Sequence, residues 1–126
     1  MNTSSTIKPT ESELEILQII WNKEQATVRE VHEELIKSKP SGYTTTLKLM
    51  QIMHEKGLVT RDERKKTHVY FAAVTRNKTQ KFFLDRMISG LFGGSSTQLV
   101  LQALGNQKSS KAELEQIRKF LDDLKK

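Results

Sequence analysis

Apolar residues recur at helical spacing over most of this chain, and the first two stretches that carry them begin with capping signals. Thr10 and Glu13 form a capping-box pattern ahead of the first stretch, and Thr27 and Glu30 repeat it ahead of the second. In such a pattern a hydroxyl and a carboxylate satisfy two backbone amides that a helix start leaves unpaired. We therefore predict two amphipathic helices joined by a short connection. Their apolar stripes are Leu14, Leu17, Ile20 and Trp21 on the first, and Val28, Val31 and Leu35 on the second.

A third helix and a short hairpin are predicted next. The helix runs from about Ser41 to Gly57, because Pro40 breaks the preceding helix and glycine suits the left-handed position after a helix end. Two strands follow at 58–61 and 68–72, with the charged sequence DERKKT between them. The order helix, helix, helix, strand, strand is that of a winged helix-turn-helix.

The chain beyond residue 75 is predicted to form three further amphipathic helices. The first runs from about 75 to 92, the second stops at Gly105, and Ser110 with Glu113 caps the third. Their apolar stripes are broader than this chain can cover, which indicates dimerisation. The alternative is that these helices fold back onto the N-terminal part of the same chain, residues 10–73, which we call the head. The residues assigned to the dimer contact are Phe83, Met87, Leu91, Leu114, Ile117 and Leu121.

Composition argues against several classes of function. The chain has no cysteine, which excludes disulfides, thiol nucleophiles and cysteine-based metal sites. Its 3 histidines lie on separate elements, and no glycine-rich phosphate loop follows a strand, so we predict no metal, no cofactor and no enzymatic activity. Because no apolar run approaches the roughly 18 residues of a bilayer span, and MNTSSTIKPT does not resemble a signal peptide, we predict a cytoplasmic protein without membrane insertion.

The positive charge is concentrated in the middle of the chain. Of the net charge of +6, residues 1–41 contribute −2, residues 42–90 contribute +6 and residues 91–126 contribute +2. The middle segment holds the third helix and the hairpin, and a local excess of cations suits a surface that meets DNA phosphates. A solvated basic surface with no partner is the alternative interpretation.

The third helix carries small polar side chains at its start. At 100° per residue, Thr44, Thr45 and Lys48 lie on the outward face, while Tyr43 and Thr46 lie on the buried side. Threonine and lysine side chains at the start of a recognition helix can bond base edges in the major groove, and lysine can also bind phosphate. We expect one of the threonines to serve only as a helix cap.

The hairpin carries basic residues near its tip, where Asp62 and Glu63 dilute the charge, so it is assigned phosphate contact and not base reading. The residues predicted to contact double-stranded DNA are Ser41, Tyr43, Thr44, Thr45 and Lys48 of the helix, and Arg61, Arg64, Lys65 and Lys66 of the hairpin. The predicted fold is mainly α (α+β), with a winged-helix DNA-binding domain at 1–74 and a helical dimerisation domain at 75–126.

Binding of another protein through the same fold is the alternative function. Ile52, an apolar residue on the predicted outward face, favours it, whereas the basic charge and the run of threonines weigh against it. Salt dependence separates the two functions, because contacts with several phosphates weaken steeply as salt is added.

Five short motifs occur in a fixed order along the chain: TESELEIL at 10–17, Trp21, YTTT at 43–46, EKGLV at 55–59 and VYF at 69–71. With these motifs the chain resembles the penicillinase-repressor (BlaI/MecI) family of winged-helix repressors, well over residues 8–104 and loosely beyond. The resemblance implies a homodimer on a palindromic operator with TACA/TGTA-type half-sites. Ile52 stands where the family pattern has arginine, which implies a shifted base preference.

The resemblance also implies how repression is relieved. Family members are commonly paired with a membrane metalloprotease sensor, and the repressor is cleaved in its C-terminal domain. The matching segment here is 99–104, with Gln102 and Ala103 at the cleavage position. The β-lactam repressors have an Asn–Phe bond there, so this chain departs from them in the residues a protease would read. The cysteine metal hook of the copper-responsive branch is missing, since the chain has no cysteine.

Overall fold

The computed structural model describes residues 8–126, which fall into two compact units divided between Lys81 and Phe82. The first seven residues of the predicted domain 1–74 lie outside the described residues, and the predicted boundary at 74/75 stays a prediction. The elements of the N-terminal unit are α1 (Glu11–Lys23), α2 (Val28–Leu35), α3 (Tyr43–Lys56), β1 (Val59–Asp62), β2 (Val69–Ala72) and the start of α4 (Arg76–Leu91). This order confirms the predicted winged helix-turn-helix.

Both predicted capping boxes are present. The Thr10 hydroxyl accepts a hydrogen bond from the Glu13 amide at 3.2 Å, and the Glu13 carboxylate accepts one from the Thr10 amide at 2.9 Å. The corresponding distances for Thr27 and Glu30 are 3.2 Å and 2.8 Å. Each box fixes the residue at which its helix begins, and therefore the direction in which its apolar stripe faces.

A single apolar core joins the three helices of the head to the hairpin. Burial of each large apolar side chain in such a core contributes about 1.5–3 kcal/mol, so these contacts set the orientation of α3 relative to α1 and α2. The core residues are Ile16, Leu17 and Ile20 of α1, Ala26, Val28 and Val31 at α2, Met50 and Met53 of α3, and Leu58, Val59 and Tyr70 of the hairpin.

The end of α3 turns the chain directly into the hairpin. Gly57 has a φ of 83°, and the Leu58 amide donates to the Met53 carbonyl at 2.9 Å, which is the predicted Schellman ending. The two strands pair antiparallel with Val59 opposite Ala72, and each begins one residue later than predicted. The short turn places the hairpin immediately beside α3.

The connection between α1 and α2 contributes a strand-like pairing that the sequence did not predict. Ala26 forms an isolated antiparallel bridge with Tyr70, with amide-to-carbonyl distances of 3.0 and 2.8 Å. Glu24 precedes it with a φ of 73°, a left-handed conformation for a residue other than glycine. This bridge extends the two-stranded sheet and attaches the hairpin to the first helix pair.

The C-terminal unit, Phe82–Lys126, contains the rest of α4 together with α5 (Ser96–Asn106) and α6 (Lys111–Leu124). Gly93 and Gly94 join α4 to α5 with φ values of 58° and 87°, a conformation that favours glycine. The capping box of Ser110 at the start of α6 is present as predicted. The predicted stop at Gly105 is wrong, because α5 continues through that residue to Asn106.

Candidate DNA-binding surface

The outward face of α3 presents the side chains predicted for it. Thr44, Thr45 and Lys48 are exposed, whereas Thr46 and Met50 are fully buried. Ser41, also predicted to contact DNA, is exposed just before the helix, and Gln51 and Glu55 continue the exposed face. The structure therefore displays a polar surface at the N-terminal end of α3, where a recognition helix meets base edges.

Two expectations about this helix are wrong. Tyr43 was placed on the buried side, but it is 42% exposed, because the first turn of α3 extends beyond the core. The helix is capped by Gly42 without a side-chain hydrogen bond, so none of the threonines caps it. Both corrections enlarge the exposed polar surface, since Tyr43 and the hydroxyls of Thr44 and Thr45 are all left for a partner.

The third threonine has a positioning role. Thr46 is 0% exposed, and its hydroxyl lies 3.0 Å from Nδ1 of His32 on α2. The His32 ring also meets the Tyr43 ring edge-on at a centroid distance of 5.5 Å. These contacts fix the start of α3 against α2.

Arg29 is a candidate site residue that the sequence reading missed. Its guanidinium carbon lies 5.7 Å from the centroid of the Tyr43 ring, so α2 contributes a cation beside the start of α3. A signal was present in the sequence, since Thr27 as N-cap places Arg29 in the first turn of α2, where cations are unfavourable. A residue that opposes its local electrostatics is a reason to look for a function there.

The arginines of the wing, residues 59–72, are held by neighbouring carboxylates. Arg61 donates to Glu63 and to the Tyr70 hydroxyl, and Arg64 donates to both carboxylate oxygens of Asp62 at distances of 2.7–3.2 Å. Hydrogen bonds from the Arg64 side chain, and then from its backbone amide, lower the pKa of Asp62 to about 2. These pairs shape the hairpin and neutralise part of its positive charge.

The two lysines of the wing differ from its arginines. Lys65 and Lys66 are exposed at the tip, and neither forms an ion pair with any residue in the range 8–126. A lysine without a carboxylate partner can reach a phosphate without breaking an existing contact. The wing therefore presents two lysines directly, and two arginines whose charges are shared with Asp62 and Glu63.

Ile52, the residue that favoured a protein-binding function, is half-buried. A half-buried side chain offers a partner less apolar surface than a fully exposed one would. The observation that supported the alternative function is therefore weaker in the structure than in the sequence.

The C-terminal unit exposes many apolar side chains. Of the residues predicted to form the dimer contact, Met87, Leu91, Leu114 and Leu121 are exposed, while Phe83 and Ile117 are half-buried. Helices α5 and α6 contain no buried residue when the chain is considered alone. Exposed apolar side chains mark an interaction site where they join into one large patch.

The predicted cleavage position lies inside α5. Gln102 and Ala103 are exposed, and the Asn106 side-chain amide donates to both the backbone and side-chain oxygens of Gln102 at 2.9 Å.

No grouping of three or more His, Cys or acidic residues that could hold a metal occurs within residues 8–126. Over the same range, no helix has the length and apolarity needed to cross a membrane.

Comparison with known proteins identifies the family. A sequence profile of the penicillinase repressor family matches residues 9–123. The penicillinase repressor of Staphylococcus aureus is 27% identical over 119 residues, covering 91% of each chain. The methicillin resistance regulatory protein MecI of S. aureus strain N315 is 27% identical over 123 residues, covering 94% of this chain and 97% of the relative.

A solved structure of a Lactococcus lactis ZitR mutant aligns with 99% of this chain and 79% of that chain, at a TM-score of 0.45 and 20% identity. That likeness is too distant to support an argument about function. The profile match covers most of the sequence and agrees with the winged-helix order of the head. The chain belongs to the penicillinase repressor family of transcriptional repressors.

Proposed function

We propose that this protein represses transcription by binding a palindromic DNA operator as a homodimer. The observation that carries the proposal is the exposed start of α3, where Thr44, Thr45 and Lys48 face outward while the buried Thr46 fixes the helix through His32. Hydrogen-bonding side chains on a firmly held helix are what direct readout of bases requires. Each head would place α3 in the major groove of one half-site.

The wing supports the same function by contacting the backbone next to the groove. Lys65 and Lys66 supply exposed ammonium groups, and phosphate contacts of this kind set register without reading sequence. Arg61 and Arg64 would contribute only by exchanging a carboxylate for a phosphate. Half-sites of TACA/TGTA type are the proposed target, on the basis of the family resemblance.

Homodimerisation is proposed for the C-terminal helices. Leu91 of α4 is 78% exposed, and apolar side chains on α5 and α6 are exposed as well, so a second copy would cover surface that the single chain leaves in water. A two-fold symmetric dimer would match the symmetry of a palindromic operator. The proposed dimerisation domain is residues 75–126, following the winged-helix domain 1–74.

Relief of repression is proposed to follow cleavage at Gln102–Ala103 by a protease belonging to a membrane sensor system. The bond lies in an exposed helix, so the helix would have to unwind locally before its backbone could enter an active site. Finding full-length protein in cells in which the repressed genes are induced would argue against cleavage.

The testing experiment measures binding of the full chain to a fluorescent TACA/TGTA palindrome and to a scrambled duplex at 50 and 200 mM salt. We expect tight, palindrome-selective binding that weakens by roughly 10³–10⁵ over that salt range if 6–10 phosphates are contacted. The sedimentation mass, measured in parallel, should be that of a dimer. Weak, equal and salt-insensitive binding to both duplexes would favour the protein-binding alternative.

A further inference from the structure

A groove of about 570 Å³ lies between the start of α2, the recognition helix α3 and the wing. Arg29 stands on its α2 side, Gln51 on its α3 side, and Arg61, Lys66 and His68 on its wing side, and no carboxylate lines it. Gln51 also belongs to the exposed outward face of α3, so the groove opens beside the surface proposed to read bases. An anion at this place would be next to the DNA-reading surface.

Ion pairing separates the cations of the head into two sets. Near α2, Lys23 and Lys37 pair with Glu34, and Lys39 pairs with Glu15. Arg29 of α2 forms no ion pair within residues 8–126, and its guanidinium carbon lies 5.7 Å from the centroid of the Tyr43 ring. Lys66, across the groove, likewise forms no ion pair within that range.

The position of Arg29 is electrostatically unfavourable for α2 itself. Thr27 is the N-cap, so Arg29 lies in the first turn, next to the positive end of the helix dipole. Cations stabilise a helix at its other end. Arg61 and Lys66 also line the groove and no carboxylate does, so a positive charge placed against the dipole adds to a local excess that an anion would relieve.

We propose that this groove binds one backbone phosphate of the operator between Arg29 and Lys66. The assignment rests on the proposed DNA-binding function and adds a site on α2 to the contacts of α3 and the wing. The Tyr43 ring, which also lines the groove, contacts the Arg29 guanidinium and so restricts a long side chain before DNA arrives. Arg29 therefore acts as a phosphate-binding residue that fixes the register of α3.

The test compares Arg29→Ala with Lys37→Ala, a matched control that also removes one positive charge from the α2 region but lies outside the groove. We expect Arg29→Ala to bind the palindrome roughly tenfold more weakly at 50 mM salt and roughly threefold more weakly at 200 mM, with its slope of log K against log salt reduced by about 0.9. Lys37→Ala should change affinity less than about twofold.

Two further measurements separate binding from folding. The melting temperature of Arg29→Ala should stay within about 3 °C of the wild type, since removing the misplaced charge offsets the lost contact with Tyr43. Arg29→Lys, which keeps the charge, should recover part of the affinity. In a double-mutant cycle, Arg29→Ala and Lys66→Ala should be non-additive, while Arg29→Ala and Lys65→Ala should add.

Each result of these measurements either supports or overturns the phosphate site. If the wild type binds the palindrome selectively but Arg29→Ala behaves like Lys37→Ala, the groove site is overturned and the proposed function stands. Additive losses for Arg29→Ala and Lys66→Ala would overturn the shared phosphate. If the wild type itself shows no selective, salt-sensitive binding, the proposed function fails and this site fails with it.

Discussion

Glu13 on α1 and Lys56, the last residue of α3, form an ion pair in which only the carboxylate is buried, and this pair ties the first helix to the end of α3. The Lys56 ammonium donates to both carboxylate oxygens, at 2.7 and 2.9 Å, and Glu13 is only 2% exposed. The same carboxylate caps α1 through the Thr10 amide. One acidic side chain therefore starts α1 and positions α3.

Loss of Lys56 should destabilise the head. In Lys56→Met the Glu13 carboxylate would stay buried without its ammonium partner. We expect the free energy of unfolding to fall by about 2–3 kcal/mol. This is somewhat below the range for fully buried pairs, because Lys56 is partly exposed. Urea denaturation measures this. Lys39→Met is the control, because its pair with Glu15 is exposed and should contribute less than about 1 kcal/mol. Equal losses for the two variants would contradict the assignment.

Substitutions at two adjacent threonines of α3 should have different effects, one on the stability of the protein and the other on its binding to DNA. Thr46→Val removes the hydroxyl beside His32 while conserving shape, so we expect a loss of about 1 kcal/mol in stability. Thr45→Val, at an exposed position, should leave stability within about 0.5 kcal/mol of the wild type but reduce operator binding. Denaturation and DNA titration of both variants check this. A stability loss in Thr45→Val would mean that its hydroxyl has a structural role.

Lys48 should distinguish base contact from phosphate contact. If Lys48 bonds a base, Lys48→Ala should weaken operator binding by about 1–3 kcal/mol and leave binding to a scrambled duplex nearly unchanged. The measurement is a titration of both duplexes at one salt concentration. An equal loss on both would assign Lys48 to a phosphate.

The two ion pairs of the wing, Arg61 with Glu63 and Arg64 with Asp62, should persist throughout the pH range in which DNA binding is measured. The folded-state pKa of Asp62 is about 2, below its ordinary 3.8. The stabilisation that its pair with Arg64 gives the folded protein is therefore fully present above pH 3.8 and is lost as the pH falls through 2. The direction is the same for Glu63, whose pKa is lowered mainly by its hydrogen bond with Arg61. Carboxyl-carbon NMR should show Asp62 titrating near 2 in the wild type. In Arg64→Gln the midpoint should move toward 3.8; an unchanged midpoint would contradict the pairing.

The fold was predictable where the determining signal is local. Thr10 with Glu13 specifies a helix start within four residues, and Gly57 marks the end of α3. The bridge between Ala26 and Tyr70 joins residues far apart in the chain through a single pair, which leaves no periodic pattern to detect. A sequence reading could therefore order the elements but could not show how the hairpin is attached.

The candidate DNA-binding surface was predictable only in part, because it too depends on contacts between residues far apart in the chain. The helical period separates Thr45 from Thr46, but it cannot show where the core ends, so Tyr43 was wrongly placed inside. The contact of Arg29 with Tyr43 depends on how α2 packs on α3, and composition alone could not show which wing cations are paired. Tertiary contacts decide which charges are available to a partner.

The exposed face of α4 gives the sharpest test of dimerisation. Leu91 is 78% exposed in the single chain, so Leu91→Asp should leave the monomer folded but place a charge in a desolvated dimer contact. We expect sedimentation to show monomers, and operator affinity to fall because the two half-sites are no longer bound by one particle. Ser89→Asp, also an exposed position on α4, is the control and should remain dimeric. An intact dimer of Leu91→Asp would move the interface away from this face, whereas a monomer with undiminished affinity would show that one head suffices for binding.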